Sequence, residues 1–249
     1  MSSSPTLIPY LTTSFKPTVA QSIANGFAAV MEQAEPASAD PSPHGSRLNH
    51  RAIFTHNYGS AFLQPNAVDG MRRILLIVDF SGSMSGMWQC QGGAEFVWGL
   101  MQFARQGGCH LRVLLTGSER GPAELPVDVP FHVFASLAPL HSQESFAKTM
   151  RHPAVYETME NSDITICWTD GQLTDGYVDA IRWREKNINV IGGCLGVRGS
   201  GAYHAKKGMV PLEEAMKEYF HAAFIDLDPA RIATQMATWI AACPLRDLQ

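Results

Sequence analysis

Arg73-Ile74-Leu75-Leu76-Ile77-Val78-Asp79-Phe80-Ser81-Gly82-Ser83-Met84-Ser85 is an aliphatic run that stops at a carboxylate and three closely spaced hydroxyls. Such a run, rich in β-branched and aliphatic residues, predicts a buried strand. In an α/β sheet, ligands sit in the loop after the carboxyl end of a central strand. Asp79, Ser81 and Ser83 alternate, so a loop folded over on itself can aim all three at one point. They offer oxygen alone, which suits a hard cation such as Mg²⁺ and not zinc or copper.

Downstream, helical and strand patterns alternate. Trp88 to Gln106 carries Phe96, Val97, Leu100, Met101, Phe103 and Ala104, a face wide enough for a helix buried against a sheet, closed by Gly107-Gly108. Leu111 to Thr116 reads as a second strand and Phe131 to Phe134 as a short third one. The turn-rich Gly117 to Pro130 between them lets the third run antiparallel. Ser142 to Glu160 is helical with a break expected at Pro153. Asp163 to Thr169 is a fourth strand ending in Asp170-Gly171, Tyr177 to Lys186 a helix and Ile188 to Leu195 a fifth strand. Gly192, Gly193, Gly196, Gly199 and Gly201 suggest a loose loop, followed by a helix over Leu212 to Phe220 and a sixth strand over Ala223 to Leu227. Asp228-Pro229 opens a final helix to about Ala242. The expected fold is α/β, a doubly wound, mostly parallel six-stranded sheet flanked by helices, with the short third strand antiparallel.

Upstream of this main domain (70–249), residues 1–45 read as an extension. Pro17 to Glu35 has Val19, Ile23, Phe27, Val30 and Met31 at helical spacing, with Pro17 suited to a first turn. A helix packed on the main domain is favoured over a docking helix for a partner. Pro36 to Gly45 is Pro/Ser-rich and linker-like. Residues 46–69 form a basic, aromatic lead-in with Arg47, His50, Arg51, His56 and Tyr58, expected to cover a sheet edge.

With 249 residues, 45% of them hydrophobic, the chain can bury one large core. A net charge of −4 and a pI near 6.1 leave no electrostatic footprint for nucleic acid or an anionic membrane. No segment approaches the roughly 20 apolar residues of a membrane span, and the N-terminus does not read as a signal peptide. Cys90, Cys109, Cys167, Cys194 and Cys243 are scattered without ligand spacing, so free thiols in a reducing, cytoplasmic setting are expected.

If the first and fourth strands are neighbours, Asp79 and Asp170 share one carboxyl edge. Asp79-x-Ser81-x-Ser83 after the first strand and Thr169-Asp170-Gly171 after the fourth resemble the von Willebrand factor type A (VWA) domain and its metal-ion-dependent adhesion site. The likeness covers about residues 70–242 and implies a Rossmann-like VWA fold. It further implies Mg²⁺, with Mn²⁺ or Ca²⁺ as substitutes, bound directly by Ser81 and Ser83. Asp79 and Asp170 would act through waters or as charge balance, and a partner protein's Asp or Glu would complete the coordination. The family's threonine has no counterpart in Pro139 to Ser145, where Ser142 is the first substitute and Ser145 the second. Gly45 to Arg51 and Thr169 to Asp175 also resemble the narrower VWA group of the cobaltochelatase subunit, whose members work beside AAA-type ATPases of the MoxR and chelatase kinds. The long acidic region of the chelatase subunit is missing, which argues against chelatase function itself.

A different chemistry competes for the same residues. Gly82-Ser83-Met84-Ser85-Gly86 fits the nucleophile elbow of α/β-hydrolases, with Ser85 as nucleophile and Asp170 followed by His204 or His221 in the required order. Asp79-Phe80-Ser81 intervenes between strand and elbow, however, and no upstream His-Gly-Gly segment is present. A non-catalytic, metal-dependent interaction module is therefore the favoured reading.

Overall fold

The computed structural model describes residues 11, 14–34, 40–42, 47–48, 62–64, 71–116, 121–139, 146–172, 183, 185–204 and 206–243. Helix α1 (Pro17–Ala34) is followed by short strands β1 (Asp40–Ser42), β2 (Arg47–Leu48) and β3 (Phe62–Gln64), which pair antiparallel in the order β1-β3-β2. Part of the linker-like segment thus has strand geometry. Then come β4 (Arg73–Val78), α2 (Ser85–Cys90), α3 (Gly93–Arg105), β5 (His110–Leu115), β6 (Ala123–Leu125), α4 (Phe131–Phe134), α5 (Phe146–Arg151), α6 (Pro153–Glu160) and β7 (Ile164–Trp168). The chain continues through β8 (Val190–Leu195), β9 (Gly201–His204), β10 (Gly208–Pro211), α7 (Leu212–Tyr219), β11 (Ala222–Asp226) and α8 (Pro229–Ala242).

The main sheet has six strands in the order β11-β8-β7-β4-β5-β6. All its neighbours pair parallel except β5 with β6. Counted along the chain, the order is that of a doubly wound sheet, reversing between β4 and β7. Those two central strands are buried from Ile74 to Val78 and from Ile164 to Trp168, because helices cover both faces. Adjacent residues on a strand show the two layers directly. Trp168 stacks on Phe96 of α3, with ring centroids 3.9 Å apart, while Cys167 turns the other way to Met150 of α5.

Helix α1 belongs to the first layer. Ala20, Ile23, Ala24 and Phe27 form its buried stripe, and Phe27 stacks on Phe103 of α3 with centroids 5.6 Å apart. Gly99 permits this approach, since a Cβ there would lie 2.6 Å from the Ala20 carbonyl oxygen. This helix is a packed part of the core.

Three local expectations are corrected. Phe131–Phe134 is a helical turn, and the antiparallel edge strand is Ala123–Leu125. Four apolar-rich residues fit either period. Extended Pro130 starts the turn, Phe134 is buried against Trp98, and Phe131 remains 43% exposed. The helix expected over Trp88 to Gln106 is two, divided at Gly92, whose φ of +94° belongs to the left-handed region. Gly192 and Gly193 lie inside β8: a Cβ at Gly192 would meet Phe220 at 2.3 Å, and one at Gly193 would meet Met236 at 2.5 Å. Beyond β8 the chain forms the β9–β10 hairpin in place of a loose loop. The break expected within Ser142 to Glu160 occurs at His152, just before Pro153.

Candidate metal centre

Register brings the two aspartates together. Val78 pairs with Trp168, so the next residues, Asp79 and Thr169, leave adjacent strands at the same carboxyl edge. The Asp79 N–H donates to the Trp168 carbonyl at 2.8 Å, extending the ladder by one step. On the other side the Thr116 N–H donates to the Val78 carbonyl at 2.9 Å. The Thr116 hydroxyl then accepts the Phe80 N–H at 3.1 Å, tying the start of the serine loop to the end of β5. This is the switch point of the sheet, where neighbouring connections diverge and leave a crevice.

The loop turns sharply after Phe80. Ser81 is extended and Gly82–Met84 forms a 3₁₀ turn that buries Met84 while leaving Ser83 exposed. The fold-over brings Ser81 Oγ and Ser83 Oγ to 3.0 Å. Asp79 is fully buried: Oδ1 accepts the Ser81 N–H at 3.1 Å and Oδ2 accepts the Thr169 hydroxyl at 3.0 Å. Thr169 Oγ also accepts the Gly171 N–H at 3.1 Å. Asp170, half-buried, accepts the Gln172 N–H at 2.9 Å, and Gly171 makes the turn at φ +79°.

Electrostatics single out Asp79. Burial, and secondarily the Asp170 carboxylate, push its carboxyl up to about 7 despite the hydrogen bonds from Ser81 and Thr169. None of its contacts among the described residues is cationic. The same two carboxylates add to burial in raising the Cys194 thiol, on β8. Cys109 and Cys167 are likewise buried, Cys90 is exposed, and all five cysteines are free.

This donor set fits a small hard cation. Cis oxygens around an octahedral Mg²⁺ at about 2.1 Å lie about 3.0 Å apart. Ser81 Oγ and Ser83 Oγ, which share a hydrogen bond, have that separation. Two neighbouring carboxylates, with no cationic contact to Asp79 among the described residues, supply the compensating negative charge. Among the described residues no three His, Cys, Asp or Glu side chains cluster, so a site here depends on hydroxyls. Of the expected ligands, Asp79, Ser81, Ser83 and Asp170 lie at this edge. Ser142 and Ser145, the end of the aspartate loop from 173, and all of the Gly45–Arg51 lead-in except Arg47 and Leu48 lie outside the described residues.

Thr169, which the sequence shows only as part of the Thr169-Asp170-Gly171 motif, and Thr116 are site residues to which the sequence assigns no role of their own. A hydroxyl residue at the end of a largely apolar strand, one position before Asp170, is the signal that points to Thr169.

The histidines of the hydrolase reading are placed differently. His221 donates its N–H to the Val190 carbonyl at 2.8 Å, at the amino end of β8 and so opposite the edge that carries Ser85. His204 is buried, with Nε2 2.8 Å from Glu218 and Nδ1 accepting the Lys206 and Lys207 N–H groups. Ser85 itself begins α2.

No protein-family model and no curated protein matches the chain. Solved structures do. Proximal thread matrix protein 1 from the mussel byssus is 14% identical with a TM-score of 0.43, over 69% of this chain and 46% of that one. The chain therefore spans about half the length of the byssus protein. An aerotolerance-related membrane protein from Bacteroides fragilis, carrying multiple mutations to serines, is 14% identical with a TM-score of 0.40, over 68% of this chain and 97% of that one. These values identify no family, and any function rests on the chemistry of the site. No described helix is long and apolar enough to cross a membrane.

Proposed function

We propose that the chain is a metal-dependent protein-interaction module of the VWA type, using its metal centre to capture a carboxylate on a partner protein. The observation that carries this reading is the pairing of buried Asp79 with Asp170 at the switch point, beneath two hydroxyls spaced for one small cation. Ser81 and Ser83 would hold the ion, and Mg²⁺ bound there supplies an electron-poor centre that accepts an Asp or Glu from outside. Asp79 holds negative charge below the hydroxyls while its oxygens stay engaged by Ser81 and Thr169. Asp170 adds charge from the adjoining strand end. Ser142 is retained as the candidate hydroxyl in place of the family threonine.

The partner we favour is an AAA-type ATPase of the MoxR or chelatase kind. Support for it is the likeness of Gly45 to Arg51 and Thr169 to Asp175 to VWA proteins that work beside such ATPases. In this reading the chain is a non-catalytic, cytoplasmic adaptor that binds neither nucleic acid nor membrane. The test is affinity capture from a lysate, with Mg²⁺ or with chelator, using wild type and Ser81→Ala. An ATPase recovered by wild type with Mg²⁺ alone, and lost with Ser81→Ala, is expected. Equal capture in all arms would sink the metal-dependent reading.

A further inference from the structure

We propose that Thr169 is the positioning residue of this centre, its one hydroxyl coupling the buried Asp79 carboxylate to the turn that presents Asp170. The inference rests on the metal-site reading above and adds a residue that binds no metal itself.

With Asp79 ionised, donor and acceptor roles fix the direction of the coupling. The Gly171 N–H can only donate, so Thr169 Oγ accepts at 3.1 Å. The Thr169 proton is then directed to Asp79 Oδ2, 3.0 Å away. Gly171 N–H, Thr169 O–H and Asp79 carboxylate thus form one chain of aligned dipoles, positive end toward the buried charge. Asp79 Oδ1 is held separately by the Ser81 N–H. With both oxygens engaged, the carboxylate plane is set by one contact from each half of the site. The Gly171 turn, immediately after Asp170, has this hydroxyl as the anchor of its amide. Loss of the hydroxyl would free Asp79 to rotate and the Asp170 turn to drift together. Groups that orient metal-site carboxylates in this way typically change affinity by about 10–100-fold when removed.

Thr165 provides a matched control. It lies four residues earlier on the same face of β7, is equally buried, and its hydroxyl has no hydrogen-bond partner among the described residues.

The experiment is calorimetric titration of the full chain with MgCl₂ and MnCl₂, combined with hydrogen exchange at the Gly171 amide in metal-free protein. Thr169→Val, which keeps the shape and loses the hydroxyl, is expected to weaken binding of both metals by about 10–100-fold and to speed Gly171 exchange. Thr169→Ser should restore both properties, and Thr165→Val should leave both at the wild-type value. Should Thr169→Val not fold, Thr169→Cys replaces it with the same outcomes expected. Metal binding by the Thr169 variant as tight as wild type overturns the inference alone. Absence of binding by wild type overturns the metal-site reading, and the inference with it.

Discussion

Asp79 is buried beside a second carboxylate, Asp170, and holds its proton up to about 7 against an ordinary value of 3.8. Desolvation is the larger cause and the Asp170 charge the second. In metal-free protein the folded state therefore keeps a proton that the unfolded chain has released. Asp79 disfavours folding least below the unfolded value, and stability is lost progressively as pH rises from 3.8 to about 7. Thermal melts in chelator should show a falling Tm from about pH 5 to pH 8, with a clearly shallower slope in Asp79→Asn. An identical slope in the variant would remove Asp79 as the cause.

Addition of Mg²⁺ should reverse that loss. A cation favours the ionised carboxylate, so stabilisation by Mg²⁺ should grow as pH rises through about 7. Ligand at 100 times its Kd stabilises by about 2.7 kcal/mol. Differential scanning calorimetry at alkaline pH should show an upward Tm shift for wild type and none for Asp79→Ala. A shift of equal size in Asp79→Ala would place the ion elsewhere.

The packing of α1 predicts a single cooperative unit. Phe27 is fully buried and stacks on Phe103, across a helix contact tightened by Gly99. Phe27→Ala should destabilise the whole domain by about 3–5 kcal/mol. Urea unfolding followed by tryptophan fluorescence should give one transition at a lower midpoint. An unmoved main transition would mean that α1 is an appendage after all.

Gly171 has to be glycine for two reasons. Its φ is +79°, and a Cβ would come within 2.4 Å of Leu212 Cδ1. Gly171→Ala should cost about 1–3 kcal/mol and weaken Mg²⁺ binding by displacing the Asp170 turn. Denaturant titration and calorimetry read the two effects separately. A variant that lost stability but kept full affinity would uncouple the turn from the site.

Much of this was legible because it is local. The apolar run Ile74 to Val78, the Asp79 and Asp170 strand ends, the break before Pro153 and the Asp228-Pro229 helix start all rest on side-chain period or capping chemistry within a few residues. Asp228 indeed caps α8 by accepting the Ala230 N–H at 2.9 Å. Phe131 to Phe134 misled because a four-residue apolar segment carries no decisive period, and its helical turn is settled by burying Phe134 against Trp98. Gly192 and Gly193 misled because glycine marks both loops and strands pressed by helices. Only the positions of Phe220 and Met236 distinguish these cases.

The sequence by itself determined which atoms the site can offer: two carboxylates and a pair of alternating hydroxyls, each at the end of a strand it could already mark. It also determined an α/β chain with an amphipathic helix ahead of the main domain. Tertiary structure decided that β4 and β7 are neighbours in the register Val78–Trp168, which joins Asp79 and Asp170 across about ninety residues of chain. It also decided that Thr169 turns its hydroxyl to Asp79. The physical reason is one of range. Periodicity and donor chemistry are written residue by residue, whereas strand adjacency and the desolvation of a carboxylate depend on everything that packs around them.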